Sequence, residues 1–367
     1  MPDKFKVAVI GVGMIANAAH IPAWKDLQED VEVVGVADLY EDNARSTAER
    51  YDIPHAYADA ARMLRELEPD IVSVCTPNCY HKEWTLAALK VGAHVLCEKP
   101  IAPGYQDAVE MYEAAKAAGK VLLIGQSMRF SSEVIAAKEF ADAGQLGEMY
   151  YAETSSMRRR GVPTWGMFHI KEHNAGGPIY DLSVHSLYVL LWIMGNPRVV
   201  AVSGVTYTKL ANHDEGLITS LADSGAPIGV FNPRPYDCRE FDVEDMAAGF
   251  LRLKNGAAII VKASWAANIP PGAGGTMILG TEGGLSLRPL TLVRNMGSYQ
   301  VDVTPKVPSD PNVPFYGHWK ETRHMIDVIR GRDELCVKRE EVLNVIRALE
   351  GLYRSAEEGH EIWFEGL

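Results

Sequence analysis

A glycine-rich turn set between an apolar run and a helix start constrains this chain more than any other feature. Lys6 to Ile10 is a compact apolar run, and Gly11-Val12-Gly13-Met14-Ile15-Ala16 follows at once, fitting G-x-G-x-x-G/A. In such a turn the first glycine allows the tight reversal, and the second lets backbone approach a pyrophosphate. A small sixth residue keeps the next helix close to the sheet. Met14 and Ile15 open that helix, whose free N–H groups and positive dipole end suit phosphates. Asp38 ends a second apolar run, Val31 to Ala37, 22 residues beyond Ala16. An acid there accepts hydrogen bonds from ribose hydroxyls and repels a 2′-phosphate. Leu39 and Tyr40 follow with no adjacent Arg, Lys or Ser, so the expected cofactor is NAD rather than NADP.

The rest of the first third repeats the same alternation. Apolar runs at Ile71–Cys75, His94–Cys97 and Val121–Ile124 are separated by helical stretches at Glu41–Tyr51, Ala60–Glu66, His81–Val91 and Tyr105–Ala118. Short buried strands between amphipathic helices predict a doubly wound parallel sheet of the Rossmann kind. After Gln126 the texture changes. A helix over Glu133–Ala143 and a strand over Glu148–Met157 lead to a Pro/Gly-broken loop and an apolar helix over Ile179–Met194. Asn255-Gly256 between Phe250–Leu253 and Ala258–Lys262 predicts a type I′ hairpin. A second hairpin is expected around Thr281–Gly284, and helices over Trp319–Ile329 and Glu340–Glu357. The expected organisation is an α/β chain with a Rossmann domain over 1–126. An α+β domain with a mainly antiparallel open sheet follows over 127–367.

At 367 residues the chain exceeds one ordinary core, which agrees with two domains. A net charge of −12 argues against a nucleic-acid partner, since phosphate neutralisation needs clustered cations. The one basic run, Arg158-Arg159-Arg160, reads as solvated or oligomer-contacting. No apolar stretch is long enough to cross a membrane, and Met1–Lys6 leads straight into a strand pattern without a signal-like segment. Five scattered cysteines without a CxxC pair fit a reducing compartment, so a cytoplasmic location is expected.

Two further stretches carry chemistry. One runs Cys75-Thr76-Pro77-Asn78, with His81 after it, on to Glu98-Lys99-Pro100; the other is Gly176-Gly177-Pro178-Ile179-Tyr180-Asp181, with His185 four residues on. In order and spacing they resemble the glucose–fructose oxidoreductase/inositol dehydrogenase/MocA family, whose usual forms are T-P-N-x-x-H, E-K-P and G-G-x-x-x-D-x-x-x-H. Tyr353–Gly359 also looks family-like. The resemblance implies that Thr76, Pro77 and Asn78 pack along the nicotinamide ribose, with His81, Glu98 and Lys99 completing the cofactor contacts. It also implies a catalytic Lys99 and a homo-oligomer. Many members place an Asp where this chain has Tyr188.

The residues themselves agree with such chemistry. Lys99 ends a strand at the ligand edge of the sheet, and Asp181 and His185 share one face of an otherwise apolar helix. His185 is the expected base, near-neutral as imidazoles are. Lys99 is the expected partner of the reacting oxygen, and Asp181 orients His185 or binds a substrate hydroxyl; Lys99 or His185 could hold the principal acid/base role. Arg129, Trp165, His169 and Tyr188 are candidate substrate contacts. Phe168, His173 and Tyr180 join them in an aromatic set that suits a neutral sugar, glycoside or cyclitol ring better than a 2-hydroxy acid. The favoured substrate is a hexopyranoside or cyclitol, oxidised to a ring ketone, at C3 for a glycoside. His169-Ile170-Lys171-Glu172-His173 formally fits H-x-x-E-H, but its loop context argues against a peptidase and no metal is expected. Two alternatives stand beside the dehydrogenase: an NAD-binding sensor without turnover, and a reductase of an imine or tetrapyrrole-type double bond.

Overall fold

A computed structural model describes residues 4–213 and 228–364; Met1 to Asp3, read above as leading into the first strand, lie outside them. Six strands, β1 (Phe5–Ile10), β2 (Val31–Ala37), β3 (His55–Tyr57), β4 (Ile71–Val74), β5 (His94–Cys97) and β6 (Leu122–Ile124), form one parallel sheet in the order β3-β2-β1-β4-β5-β6. Every residue of β4 and β6 is buried, because helices cover both faces and strands of this kind need no polar side. The connecting helices are α1 (Ile21–Asp26), α2 (Glu41–Tyr51), α3 (Ala60–Leu67), α4 (His81–Lys90) and α5 (Tyr105–Ala118). A π-helical turn, Ala16–His20, precedes α1. Strand order reverses between β1 and β4, so their carboxyl ends open a crevice there, where such sheets bind ligands.

The second unit begins with α6 (Ser132–Asp142) and β7 (Met149–Met157), followed by the short α7 (Lys171–Asn174), α8 (Val184–Ile193) and β8 (Val199–Tyr207). Next come β9 (Met246–Leu253), β10 (Ala258–Ser264), β11 (Gly275–Gly280), β12 (Gly283–Leu287), β13 (Leu290–Met296) and β14 (Tyr299–Val303). The chain ends in α9 (Tyr316–Ile329), α10 (Arg339–Glu358) and β15 (Ile362–Trp363). The sheet order is β14-β13-β12-β11-β7-β10-β9-β8-β15, antiparallel throughout except for the β7–β10 pair.

The turn between β9 and β10 departs from the sequence expectation. A type I′ turn needs positive φ at both central residues, and only Gly256 has it, at 89°. Gly256 N–H donates to Leu253 O at 3.0 Å, while Leu253 N–H donates to Ala257 O at 2.9 Å. This is a type I turn closed by a left-handed glycine, the three-residue hairpin. Asn255 acts through its side chain instead, accepting from Ala257 N–H at 3.2 Å.

Gly204 on β8 and Gly249 on β9 face each other across the ladder, and both abut Leu352 of α10. A Cβ at Gly204 would stand 2.8 Å from the Leu352 carbonyl oxygen, so the two glycines let α10 settle on the sheet. Their alternates Val205 and Tyr207 point the other way and are 45% and 44% exposed. α9 and α10 also return to the first domain. Arg330 of the α9 end pairs with Asp30 at 2.9 Å, and Tyr105 N–H donates to Glu350 of α10 at 2.6 Å.

Candidate active site

At the crevice, Gly11 has φ +82°, and a Cβ there would lie 2.8 Å from the Cys75 carbonyl and Thr76 N. Only glycine permits that approach of β1 to the β4 end. Gly13 is different: a Cβ would meet nothing within 4 Å, which leaves backbone accessible from open space. Asp38 is held at the mouth, accepting from Val12 N–H and Tyr40 N–H at 3.0 Å each. The buried Thr76 hydroxyl has no hydrogen-bond partner among the described residues. An open glycine cradle, an aimed acid and an orphaned hydroxyl fit a dinucleotide carrying ribose and phosphate oxygens.

Across the crevice stand the reacting groups. Lys99 ends the segment after β5, and its peptide bond to Pro100 is cis. Its Nζ lies 3.6 Å from Asp181 Oδ1 and donates to the Asp181 carbonyl at 3.3 Å. Trp265, fully buried just after β10, donates its indole N–H to Asp181 Oδ2 at 2.9 Å. Burial pushes the Asp181 carboxyl up, but Lys99 above all, with Arg158 and the Trp265 indole, pulls it below the usual carboxylate range. His185 is lowered to about 3, first by burial and then by the Lys99 charge. It is therefore a neutral imidazole, not the near-neutral one expected from sequence. Its Nδ1 is buried with no hydrogen-bond partner among the described residues.

Residues 179–183 form a π-helical turn before α8, so Asp181 and His185 are not the regular i,i+4 pair that the spacing suggested. Asp181 directs its oxygens to Lys99 and Trp265 and not to His185, which leaves the other role expected of it, binding a substrate hydroxyl.

Three supports hold the site: Glu244 and Arg158, which sequence reasoning missed in this role, and Glu98, which it expected as a cofactor contact. Buried Glu244 accepts from Gly177 N–H (2.9 Å), Ile179 N–H (3.2 Å) and the Tyr353 hydroxyl (2.7 Å), holding the start of the Asp181 segment. Gly177 is obligatory beside it, since a Cβ would stand 2.2 Å from the Glu244 carbonyl oxygen. Glu98 accepts from His20 Nε2 at 2.8 Å, His318 Nε2 at 3.3 Å and Lys99 N–H at 3.1 Å, tying the Lys99 backbone to both domains. Arg158, read as a surface cation, is near enough to Asp181 to lower its pKa. Charge type alone gave no signal for Glu244 or Arg158.

Comparison with known proteins now bears on the site. Residues 5–126 match the model of an oxidoreductase family's NAD-binding Rossmann fold, and residues 138–364 match its C-terminal alpha/beta domain. The chain belongs to the glucose–fructose oxidoreductase/inositol dehydrogenase/MocA family. It is 30% identical to a D-glucoside 3-dehydrogenase of Escherichia coli K12, over 98% of this chain and 97% of the relative. It is also 30% identical to a putative UDP-kanosamine synthase oxidoreductase subunit of Amycolatopsis mediterranei, over 72% and 69%. The structure of levoglucosan dehydrogenase with NADH shares the fold, with a TM-score of 0.81 and 19% identity over 99% of this chain and 100% of that one. The chain is thus an oxidoreductase with an NAD-binding domain.

Within this family frame, several expected contacts are spent inside the protein. His81, 1% exposed, meets Pro100 O at 2.7 Å and Thr76 O at 2.8 Å, one at each ring nitrogen, so it ties two loops instead of touching the cofactor. Asn78 likewise donates to Asn174 O at 3.0 Å. Pro77 precedes it in the turn that opens α4. Tyr188, 1% exposed, and Arg129 are corrected as substrate contacts. The tyrosine hydroxyl and the Arg129 guanidinium each bond Glu341 at 2.7 Å and meet each other at 2.6 Å, and Arg129 covers the Trp192 ring. The three side chains make a buried polar knot between α8 and α10.

Several members of the aromatic set are spent on contacts within the protein. Tyr180 stacks on Tyr353 at 4.9 Å and donates to Pro103 O, and His173 meets the Tyr80 hydroxyl at 2.7 Å. His169 instead packs on Tyr236 at 4.7 Å, so the two histidines of the H-x-x-E-H pattern have separate partners. Trp165 Nε1 and both ring nitrogens of His169 are buried without hydrogen-bond partners among the described residues. Glu240 lies 3.9 Å from His169, too far for a hydrogen bond.

Proposed function

We propose that the chain oxidises a secondary ring hydroxyl of a neutral glycoside or cyclitol, with C3 of a hexopyranoside the favoured position. The observation that carries this reading is the Lys99–Asp181–His185 cluster, set between the dinucleotide crevice and the aromatic group around Trp265. The relative named D-glucoside 3-dehydrogenase, matched end to end, supports the substrate class. So does a relative named myo-inositol 2-dehydrogenase, matched over 52% of this chain.

When bound through Gly13, Asp38 and Thr76, NAD supplies the hydride acceptor. Lys99 places a cation at the reacting oxygen, where alkoxide charge develops. His185 offers a lone pair for the hydroxyl proton. An imidazole this weak suffices, because the hydroxyl becomes strongly acidic as its carbon loses hydride. Asp181, clamped by the Trp265 indole, fixes the Lys99 ammonium and keeps an oxygen edge for a neighbouring hydroxyl. Trp165 and His169 offer unspent polar ring atoms to further hydroxyls. A sensor would need no such acid/base set.

The test is a screen of NAD reduction with glycosides, free sugars and inositols beside lactate- and malate-type acids, with ketone position read by NMR. Turnover of glycosides or cyclitols is expected; turnover confined to the acids would overturn the reading.

The proposed assembly is a homo-oligomer joined through the open sheet face that carries Val205, Tyr207 and Met277. Apolar faces of this kind are covered in stable proteins. Light scattering at micromolar concentration is expected to give a dimer or higher, and a monomer would contradict it. The protein is proposed to work in the cytoplasm, which fits its five free cysteines. Among the described residues no helix is long and apolar enough to cross a membrane.

A further inference from the structure

The stretch from Ile228 to Phe241 lies between β8 and β9 of the second domain, yet its first half rests on the first. Gly229 has φ +85°, and a Cβ there would lie 2.5 Å from Met14 O and 2.8 Å from Ala18 N and Cβ. Its backbone is thus flush with the helical turn that begins at the phosphate loop. Phe231 lies under the Arg50 guanidinium at 3.6 Å, and Asn232 donates to Asn43 Oδ1 and Ser46 Oγ at 3.3 Å each. Asn43, Ser46 and Arg50 share one face of α2, the helix that starts just after Asp38. One segment therefore grips both helices that open at the dinucleotide crevice.

The second half of the segment reaches the substrate side. Arg234 pairs with Glu240 at 2.7 Å, and the Tyr236 ring packs on His169. Phe241 sets its edge against Trp265 at 6.3 Å, the residue whose indole holds Asp181. The crevice between the domains is bridged from the phosphate turn to the Asp181 wall by continuous chain.

We propose that residues 228–241 are a retaining strap of the dinucleotide site, slowing the release of bound NADH. The inference rests on the NAD-dependent reading above. Widening the crevice enough for the dinucleotide to leave would pull Phe231 off Arg50 and Asn232 off α2. The contacts of its first half, Phe231 on Arg50 and Asn232 on α2, are cation–π or polar and sit at the surface, while Phe241 anchors the other end in the apolar cluster around Trp265.

The experiment loads the full-length protein with NADH and follows loss of bound-nicotinamide fluorescence during a chase with excess NAD. Phe231→Ala/Asn232→Ala is expected to speed NADH release by about tenfold or more. Arg50→Ala, a change on exposed α2 surface with little folding risk, is expected to speed it about threefold. Thermal midpoints measured in parallel separate strap loss from general destabilisation. Equal release rates in wild type and both variants overturn the strap, even where midpoints fall. Absence of NADH binding in wild type overturns the cofactor reading itself, which is a distinct result.

Discussion

Replacing Lys99 by alanine is expected to lower kcat by about 10²–10⁴-fold while NADH affinity changes little. The ammonium lies against Asp181 at the ligand edge of the sheet, not in the glycine cradle or beside Asp38. Its loss therefore removes charge from the reacting oxygen and leaves the dinucleotide contacts intact. The pH profile adds a second readout with a definite sign. In the wild type, His185 must be unprotonated to accept a proton, and activity is lost only as pH falls through its lowered value of about 3. The acid side of kcat is accordingly expected to be flat around 6.5, where an ordinary histidine titrates. The Lys99 charge is the second cause of that lowering, after burial. Removing it moves His185 back up, so residual activity in Lys99→Ala should fall away at a higher pH than in wild type. His185→Asn should lose kcat over the same range without shifting NADH affinity. A loss below tenfold in either variant, or a wild-type inflection near 6.5, would remove the assigned roles.

The parallel sheet was legible because its signal is local. Fully buried strands such as β4 read as unbroken apolar runs, and the glycine turn needs only one strand and one helix around it. Strand β3 escaped: His55-Ala56-Tyr57 is a three-residue edge strand with no apolar run to mark it. The second domain was legible as hairpins but not as a sheet. The parallel β7–β10 pairing joins residues about a hundred positions apart, and no local pattern encodes that register. The Asn255-Gly256 turn shows the same limit at small scale. Either of two hairpin geometries accepts that dipeptide, and strand spacing chose between them.

At the site, motif residues were legible and their partners were not. Lys99, Asp181 and His185 do converge, and Asp38 does face the glycine turn. What the motifs could not reveal is how hydrogen-bonding capacity is spent. Tyr188 on an apolar helix reads equally as a pocket ring or a core ring. Only the presence of Arg129 and Glu341, brought from 59 and 153 positions away, decides for a buried knot. Trp265 and Glu244 carry no sequence signal, because their function consists of contacts with Asp181 and Gly177 made through the fold.

Glu98→Gln is expected to destabilise the folded protein by about 3–5 kcal/mol, the range for removing one partner of a buried charge cluster. Glu98 is 4% exposed and takes three donors: His20, His318 and the Lys99 N–H. Glutamine keeps one acceptor oxygen but turns an NH₂ toward groups that already donate, so at least one pairing becomes a donor–donor contact. Burial pushes the Glu98 carboxyl up, yet the hydrogen bonds from both histidines hold it well below the usual range. A depressed carboxyl contributes stability that is present above its unfolded value of 4.5 and lost as pH falls through its folded one. His20 behaves separately: burial lowers it, so the unfolded chain gains a proton below 6.5 that the folded chain refuses. That costs up to about 1.4 kcal/mol per pH unit, and because Glu98 itself raises His20, the variant's His20 is lower still and its loss in acid at least as steep. Urea unfolding between pH 3 and 8 should therefore show both proteins weakening from pH 6.5 downward. The gap between them should persist at least down to about pH 4.5, closing only where the Glu98 carboxylate is itself protonated. A gap under 1 kcal/mol at pH 7 would mean that Glu98 is not the ionised centre tying Lys99 to the two histidines.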